Sequence, residues 1–243
     1  MTTKKMDNSK YKQVLDDPER WLSDEQRRWL RPRGAALRMA YLLLYAVNWI
    51  LIRVLFRFSV EGHEFLPSSR PFIVAPNHAS PFDPPFLAAA LPLPMLQETF
   101  WAGKQSTVLR TRFRRLLSRL TRVIPISDEI SALSPGVTIL EQHNNLVWFP
   151  EGRRSLDGQL QEFKPGIALL LTRCHVPVVP VFIHGAAAAF PAGAGIPRLR
   201  RKVVVRIGAP HISQRLDLDT CTTEDIDRSV ESLRQRMSQL RDQ

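Results

Sequence analysis

Two short apolar runs, each stopped by a polar cluster, limit what this chain can fold into more than any other feature of it. Residues 71–75 read Pro-Phe-Ile-Val-Ala, and Asn77, His78, Ala79, Ser80, Pro81, Phe82 and Asp83 follow at once. A short, β-branched, apolar run is expected to be a buried strand. Pro84 and Pro85 then mark the start of a helix, with Asp83 as its N-cap. The second run, residues 145–149 (Asn-Leu-Val-Trp-Phe), leads into Pro150, Glu151, Gly152, Arg153, Arg154 and Ser155. Strands alternating with helices define an α/β fold, and open α/β sheets gather their ligands at the carboxyl ends of strands. Both polar clusters fall at such ends.

The residue types in the two clusters suggest chemistry. His78 and Asp83 are five residues apart, and a turn can bring the carboxylate back to one ring nitrogen of the imidazole. The other nitrogen is then free to take a proton from a substrate hydroxyl. The alternative is a turn histidine followed by a simple helix cap. In the second cluster Gly152 lets the backbone pass close to a ligand, and the adjacent guanidiniums of Arg153 and Arg154 offer forked donors to phosphate oxygens. The alternative there is an exposed loop with ordinary surface arginines.

Taken together, the blocks resemble those of the glycerolipid acyltransferase family, the type exemplified by 1-acylglycerol-3-phosphate acyltransferase. Its Asn-His-x-Ser-x-x-Asp block is matched at Asn77, His78, Ser80 and Asp83. Its Phe-Pro-Glu-Gly-Thr-Arg-Ser block is matched at Phe149, Pro150, Glu151, Gly152, Arg154 and Ser155, with Arg153 in place of Thr. Phe163, Lys164, Pro165 and Gly166 resemble the Phe-Lys-x-Gly element, and residues 176–183 resemble the apolar fourth block. The second block departs from the pattern, because Arg122 and Asp128 stand where relatives carry Gly and a phosphate-holding Arg.

The resemblance spans about residues 60–210 and implies a single acyltransferase domain with a central mixed sheet flanked by helices. It implies His78 as catalytic base and Asp83 as its partner, with Asn77, Ser80, Glu151, Gly152, Arg153, Arg154, Ser155 and Lys164 as the substrate-binding set. The implied reaction moves an acyl group from a thioester of coenzyme A or acyl carrier protein to the hydroxyl of a lysolipid acceptor. Neither a metal nor another cofactor is required. A non-phosphorylated acceptor and a non-catalytic lipid-binding role are the competing expectations. The absence of a Gly-x-Ser-x-Gly elbow counts against an esterase.

At 243 residues the chain fits one catalytic domain, taken as residues 59–243, preceded by a segment of residues 1–58. That segment contains 14 uncharged residues, 39–52, between Arg38 and Arg53, with Val54, Leu55, Phe56 and Phe58 beyond. A comfortable span needs about 20 apolar residues. An embedded or interfacial helix is therefore expected, with Tyr41, Tyr45 and Trp49 suited to the interface. The run lies too far from Met1 for a cleavable signal.

The net charge of +11 is concentrated where it can meet an anionic membrane surface. From Lys104 to Arg122 basic residues interleave with apolar ones and no acidic residue intervenes, which reads as a basic amphipathic helix. No zinc spacing, RNP-like motif or basic zipper points to nucleic acid. These features suggest the inner, cytoplasmic face of a membrane, with peripheral or monotopic attachment. A second basic run, Arg198, Arg200, Arg201 and Lys202, could hold carrier phosphates.

The remaining features suggest packing. Residues 202–207 read as a strand. Residues 224–240 read as an amphipathic helix with Ile226, Val230, Leu233, Met237 and Leu240 on one face and a capping box from Thr222 and Asp225. Cys174 and Cys221 have no metal or redox spacing, and His63, His143, His175, His184 and His211 lack motif partners.

Overall fold

The computed structural model describes residues 8–155, 157–191, 194–213, 216 and 220–243, so the first seven residues of the 1–58 segment lie outside it. Strands β1 (Arg57–Glu61), β2 (Ile73–Pro76), β3 (Thr99–Lys104), β4 (Val123–Ile126), β5 (Asn145–Val147), β6 (Val178–His184) and β7 (Lys202–Ile207) form one sheet in the order β1-β7-β6-β2-β5-β3-β4. The β6–β7 pair is antiparallel and the others are parallel, so the sheet is mixed as the resemblance implied. The α-helices are α1 (Asn8–Asp16), α2 (Asp24–Leu30), α3 (Ala35–Leu55), α4 (Asp83–Ala90), α5 (Leu93–Gln97), α6 (Gln105–Val108), α7 (Arg112–Leu120), α8 (Glu129–Glu141), α9 (Gly166–Cys174), α10 (Ala186–Ala189) and α11 (Thr223–Asp242).

The apolar runs around residues 71–75 and 145–149 become neighbours. β2 and β5 pair in parallel, Ile73 with Leu146 and Val74 with Val147, and every residue of both strands is buried. Burial on both faces is why these strands read as continuous apolar runs without alternation. From β2 the chain leaves through α4 and α5 for β3, on the far side of β5. From β5 it leaves through α9 for β6, on the far side of β2. Connections that diverge in this way make a topological switch point, with a crevice outside the carboxyl ends of β2 and β5.

Helices cover both faces. On one, Ile73, Ala75 and Leu146 join Leu133 and Val137 of α8, Leu170 of α9, and Leu233 and Met237 of α11. On the other, Val74, Val147 and Val181 join Phe86 and Leu87 of α4, and Tyr41 and Ile52 of α3. The expected stripe of α11 is buried at all five positions, and its capping box is formed by Thr222 and Asp225. A β-branched stretch at residues 202–207 gives β7 with the expected bounds.

The N-terminal apolar run is longer and better docked than its sequence suggested. α3 has 21 residues, about 31 Å at 1.5 Å per residue, and by length and composition alone it could cross a membrane. One side lies on α4: Tyr41 is buried, the Tyr45 hydroxyl donates to the Leu91 carbonyl, and Asn48 donates to the Pro85 carbonyl. Tyr41 and Tyr45 thus serve the core side of the helix. The other side exposes Met39, Leu43, Val47, the adjacent Ile50 and Leu51, and Val54, in steps of three or four residues as one apolar stripe requires. The helix ends at Leu55. Residues 57 and 58 enter β1, so the sheet begins inside the segment assigned to the N-terminal part.

The stretch from Lys104 to Arg122 is not one helix. β3 ends at Lys104, α6 takes one turn, and α7 starts afresh where the Thr111 side chain accepts the Arg114 N–H. α7 still exposes Phe113 and Leu116 beside Arg112, Arg114 and Arg119. Arg122 leaves this surface: its guanidinium lies 4.3 Å over the Phe100 ring and donates to Asn144, and burial pushes its pKa down to about 10.

Candidate active site

The His78 loop begins where β2 ends. Asp83 is not the N-cap of α4; Phe82 holds that place and makes no side-chain cap bond. The Asp83 carboxylate points back into the loop. Its Oδ2 accepts the N–H groups of Ala79 and Ser80, each at 2.7 Å, and lies 2.8 Å from His78 Nδ1. An oxygen already accepting two N–H groups also accepts from the imidazole, so Nδ1 carries hydrogen and Nε2 presents a lone pair. Asp83 is fully buried, whereas the His78 side chain keeps 20% exposure. The Phe149 ring, 4.3 Å away between centroids, backs the imidazole.

The loop after β5 closes on the His78 main chain. Glu151 Oε1 accepts the His78 N–H at 2.7 Å, and the Ser155 N–H donates to the His78 carbonyl at 2.8 Å. Glu151 Oε2 accepts the Gln161 N–H at 3.0 Å. Burial pushes the Glu151 pKa up to about 7, assisted by the Asp83 and Asp157 carboxylates and opposed by those two N–H donors. Gly152 adopts φ +66°, and a Cβ there would meet Lys164 Cγ at 3.2 Å, so the turn passes close beneath that side chain.

The residues expected to bind substrate therefore divide into two sets. Asn77, Ser80, Glu151 and Ser155 are buried and committed inward. Asn77 Oδ1 accepts the Ile183 N–H at 2.7 Å, tying the end of β2 to β6; Ser80 Oγ donates to the Phe190 carbonyl; Ser155 Oγ donates to Asp157. Gly152, Arg153, Arg154 and Lys164 are exposed, and they are the members of the set that can meet a ligand. The main-chain N–H groups of Ala79, Ser80, Phe82 and Asp83 are also donated within the loop, which removes them as oxyanion donors.

Some contributions carried no sequence signal. Gln161 and Phe190 act through main-chain atoms, and the Phe190 ring packs 4.7 Å from that of Phe82. Asp128 caps α8, accepting the Ser131 N–H at 2.8 Å. The other histidines have local structural placements: His63 opens a short 3-10 turn, His143 and His175 take left-handed turns at φ 56° and 50°, His184 contacts Arg206 and the Leu240 carbonyl, and His211 pairs with the Val178 main chain. A cavity of about 450 Å³ lined by Arg70, Pro71, Glu141, Arg173 and His175 lies at the opposite end of β2 from His78.

A mixed α/β sheet with a carboxylate-held histidine at its switch point, faced by an exposed basic turn, defines a class of group-transfer domain. Residues 57–184 match the family model described as Acyltransferase, which is more than half of the chain, and the chain belongs to that family. It is 31% identical over 140 residues to 1-acyl-sn-glycerol-3-phosphate acyltransferase of Limnanthes douglasii, covering 55% of this chain and 47% of that one. It is 33% identical over 135 residues to 1-acyl-sn-glycerol-3-phosphate acyltransferase alpha of Homo sapiens, covering 51% and 44%. The chain thus spans about half the length of the curated relatives it matches. The crystal structure of the 1-acyl-sn-glycerophosphate (LPA) acyltransferase PlsC from Thermotoga maritima shares the fold, with a TM-score of 0.65 at 21% identity over 97% of this chain and 93% of that one.

Proposed function

We propose that this chain is a membrane-bound glycerolipid O-acyltransferase, moving an acyl group from a thioester of coenzyme A or acyl carrier protein to the free hydroxyl of 1-acylglycerol-3-phosphate. One observation carries the reading: the buried Asp83 carboxylate, 2.8 Å from Nδ1, leaves Nε2 of a partly exposed His78 as a base beside an exposed basic turn. In the reaction, Nε2 takes the acceptor's hydroxyl proton as its oxygen attacks the thioester carbonyl. The C–O bond forms, the C–S bond breaks, and the imidazolium returns the proton to the departing thiolate. Asp83 stabilises the imidazolium between these steps.

Arg154, with Arg153 and Lys164 beside it, holds the acceptor's phosphate, and the exposed run of Arg198, Arg200, Arg201 and Lys202 holds carrier phosphates. No metal or other cofactor enters these steps. The exposed stripe of α3 enters the inner face of the bilayer, and the basic α7 rests on anionic headgroups. Purified protein given labelled acyl-coenzyme A and 1-acylglycerol-3-phosphate is expected to form the diacyl product. Release of free acid alone, or binding without turnover, overturns the reading.

A second reading has a non-phosphorylated acceptor. It is favoured by the Asp128 carboxylate, which adds an exposed negative charge where relatives of this type carry a phosphate-holding arginine. Monoacylglycerol offered in competition with the phosphorylated acceptor decides between the two.

A further inference from the structure

We infer that Glu151 is a positioning residue for His78 and not a ligand for the acceptor, an inference that rests on the reading of His78 as the base. Three observations converge on it. Glu151 is 1% exposed, which leaves its carboxylate no open side to offer a substrate. Both of its oxygens are occupied by main-chain donors, Oε1 by the N–H of His78 at 2.7 Å and Oε2 by the N–H of Gln161 at 3.0 Å. The same loop also takes the other polar atom of the His78 peptide, because the Ser155 N–H donates to the His78 carbonyl at 2.8 Å. His78 is thus gripped at its N–H and its C=O by residues some 75 positions away, while Asp83 grips its ring.

The grip has a mechanical purpose. His78 sits in a loop after β2, where the sheet ladder no longer fixes the backbone. Asp83 sets the tautomer and the tilt of the ring about Nδ1 and gathers the Ala79 and Ser80 N–H groups, but it comes from the same loop and does not anchor that loop to the one after β5. Glu151 and Ser155 do that, tying His78 to the loop after β5, which carries Arg153 and Arg154 and whose Pro150 carbonyl accepts the Lys164 N–H. The base and the basic turn therefore keep one spacing, and an acceptor phosphate bound at the turn delivers its hydroxyl to Nε2. A misplacement of about 1 Å in such a geometry can cost about 10²-fold in rate.

Glu151→Gln tests this at nearly constant volume. Its one carbonyl oxygen can serve one of the two N–H groups, and its amide sets a donor against the other. The expected result is a kcat about 10- to 100-fold lower with the acceptor KM within about twofold of the original, and Glu151→Asp intermediate. In a His78→Ala background, the added Glu151→Gln is expected to leave the residual rate and the equilibrium affinity for 1-acylglycerol-3-phosphate unchanged, since it acts through His78. A raised KM with kcat retained, or weaker acceptor binding in the His78→Ala background, makes Glu151 an acceptor ligand and overturns the inference. So does a loss of cooperative melting in both single variants, which makes it a residue of the core. Failure of the His78 reading is separate: it shows as full turnover by His78→Ala, whatever Glu151 does.

Discussion

Asp83 Oδ2 is the shared acceptor for the His78 ring and for the N–H groups of Ala79 and Ser80, at 2.8, 2.7 and 2.7 Å. One oxygen therefore fixes both the tautomer of the base and the shape of its loop. Asp83→Asn keeps one carbonyl oxygen for the three donors, sets a buried NH2 where Oδ1 has no hydrogen-bond partner, and removes the negative charge that stabilises the imidazolium. With the NH2 turned to the ring instead, the imidazole presents Nε2–H in place of a lone pair. A kcat loss of about 10²- to 10⁴-fold is expected, together with about 1–3 kcal/mol of lost stability, read by steady-state kinetics and thermal melting. Unchanged kcat would detach Asp83 from the base.

Arg154 is expected to matter more than Arg153, although both are exposed, because only Arg154 occupies the arginine position of the family block. Arg154→Ala should raise the KM for a phosphorylated acceptor about tenfold and Arg153→Ala less than about threefold. Arg154→Lys should recover only part of the loss, since an ammonium lacks the guanidinium fork. Equal kinetics for Arg154→Ala with phosphorylated acceptors would assign the turn to packing.

The Glu151 carboxyl makes a prediction about pH. Burial, with the Asp83 and Asp157 carboxylates, raises its pKa from an ordinary 4.5 to about 7. Between those values the folded protein binds more protons at this group than the unfolded chain does, so stability falls as pH rises through the window and levels off above it. The slope from this one group is at most about 1.4 kcal/mol per pH unit. Denaturant melts of the original and Glu151→Gln from pH 4.5 to 7.5 should differ by that slope. Parallel curves would contradict it.

Leu43 and Val47 stand exposed on the stripe of α3, with 68% and 44% of their surface free, so glutamates there leave the core intact. The Leu43→Glu, Val47→Glu pair should abolish salt-resistant sedimentation with anionic liposomes. Replacing Arg112, Arg114 and Arg119 by Gln should remove only the part that high salt screens. Undiminished binding by the glutamate pair would move the membrane contact elsewhere.

The strands that carry the site were legible because β2 and β5 are buried on both faces and so are apolar throughout, and each is followed at once by its polar block. α11 was legible for the opposite reason, a single periodic stripe. The direction taken by a side chain within a loop has no such period. Glu151, Asn77, Ser80 and Ser155 read as ligands because they are polar and stand in motifs, whereas the first three reach main-chain groups of distant residues and Ser155 Oγ turns to the Asp157 carboxylate within its own loop. β1 was hidden by its neighbour: its alternating exposure, Arg57 out and Phe58 in, follows directly on the apolar α3 and was absorbed into it. The break between α6 and α7 turned on a single cap at Thr111, too local a signal to interrupt a strongly basic and apolar pattern.

The most direct measurement is the turnover of His78→Ala with acyl-coenzyme A and 1-acylglycerol-3-phosphate. The substitution removes the ring but leaves the main-chain bonds to Glu151 and Ser155, so the variant is expected to melt near the original temperature and to keep its acceptor affinity. The account predicts a kcat lower by about 10²- to 10⁴-fold. A folded His78→Ala protein whose kcat stays within a few-fold of the original would contradict it.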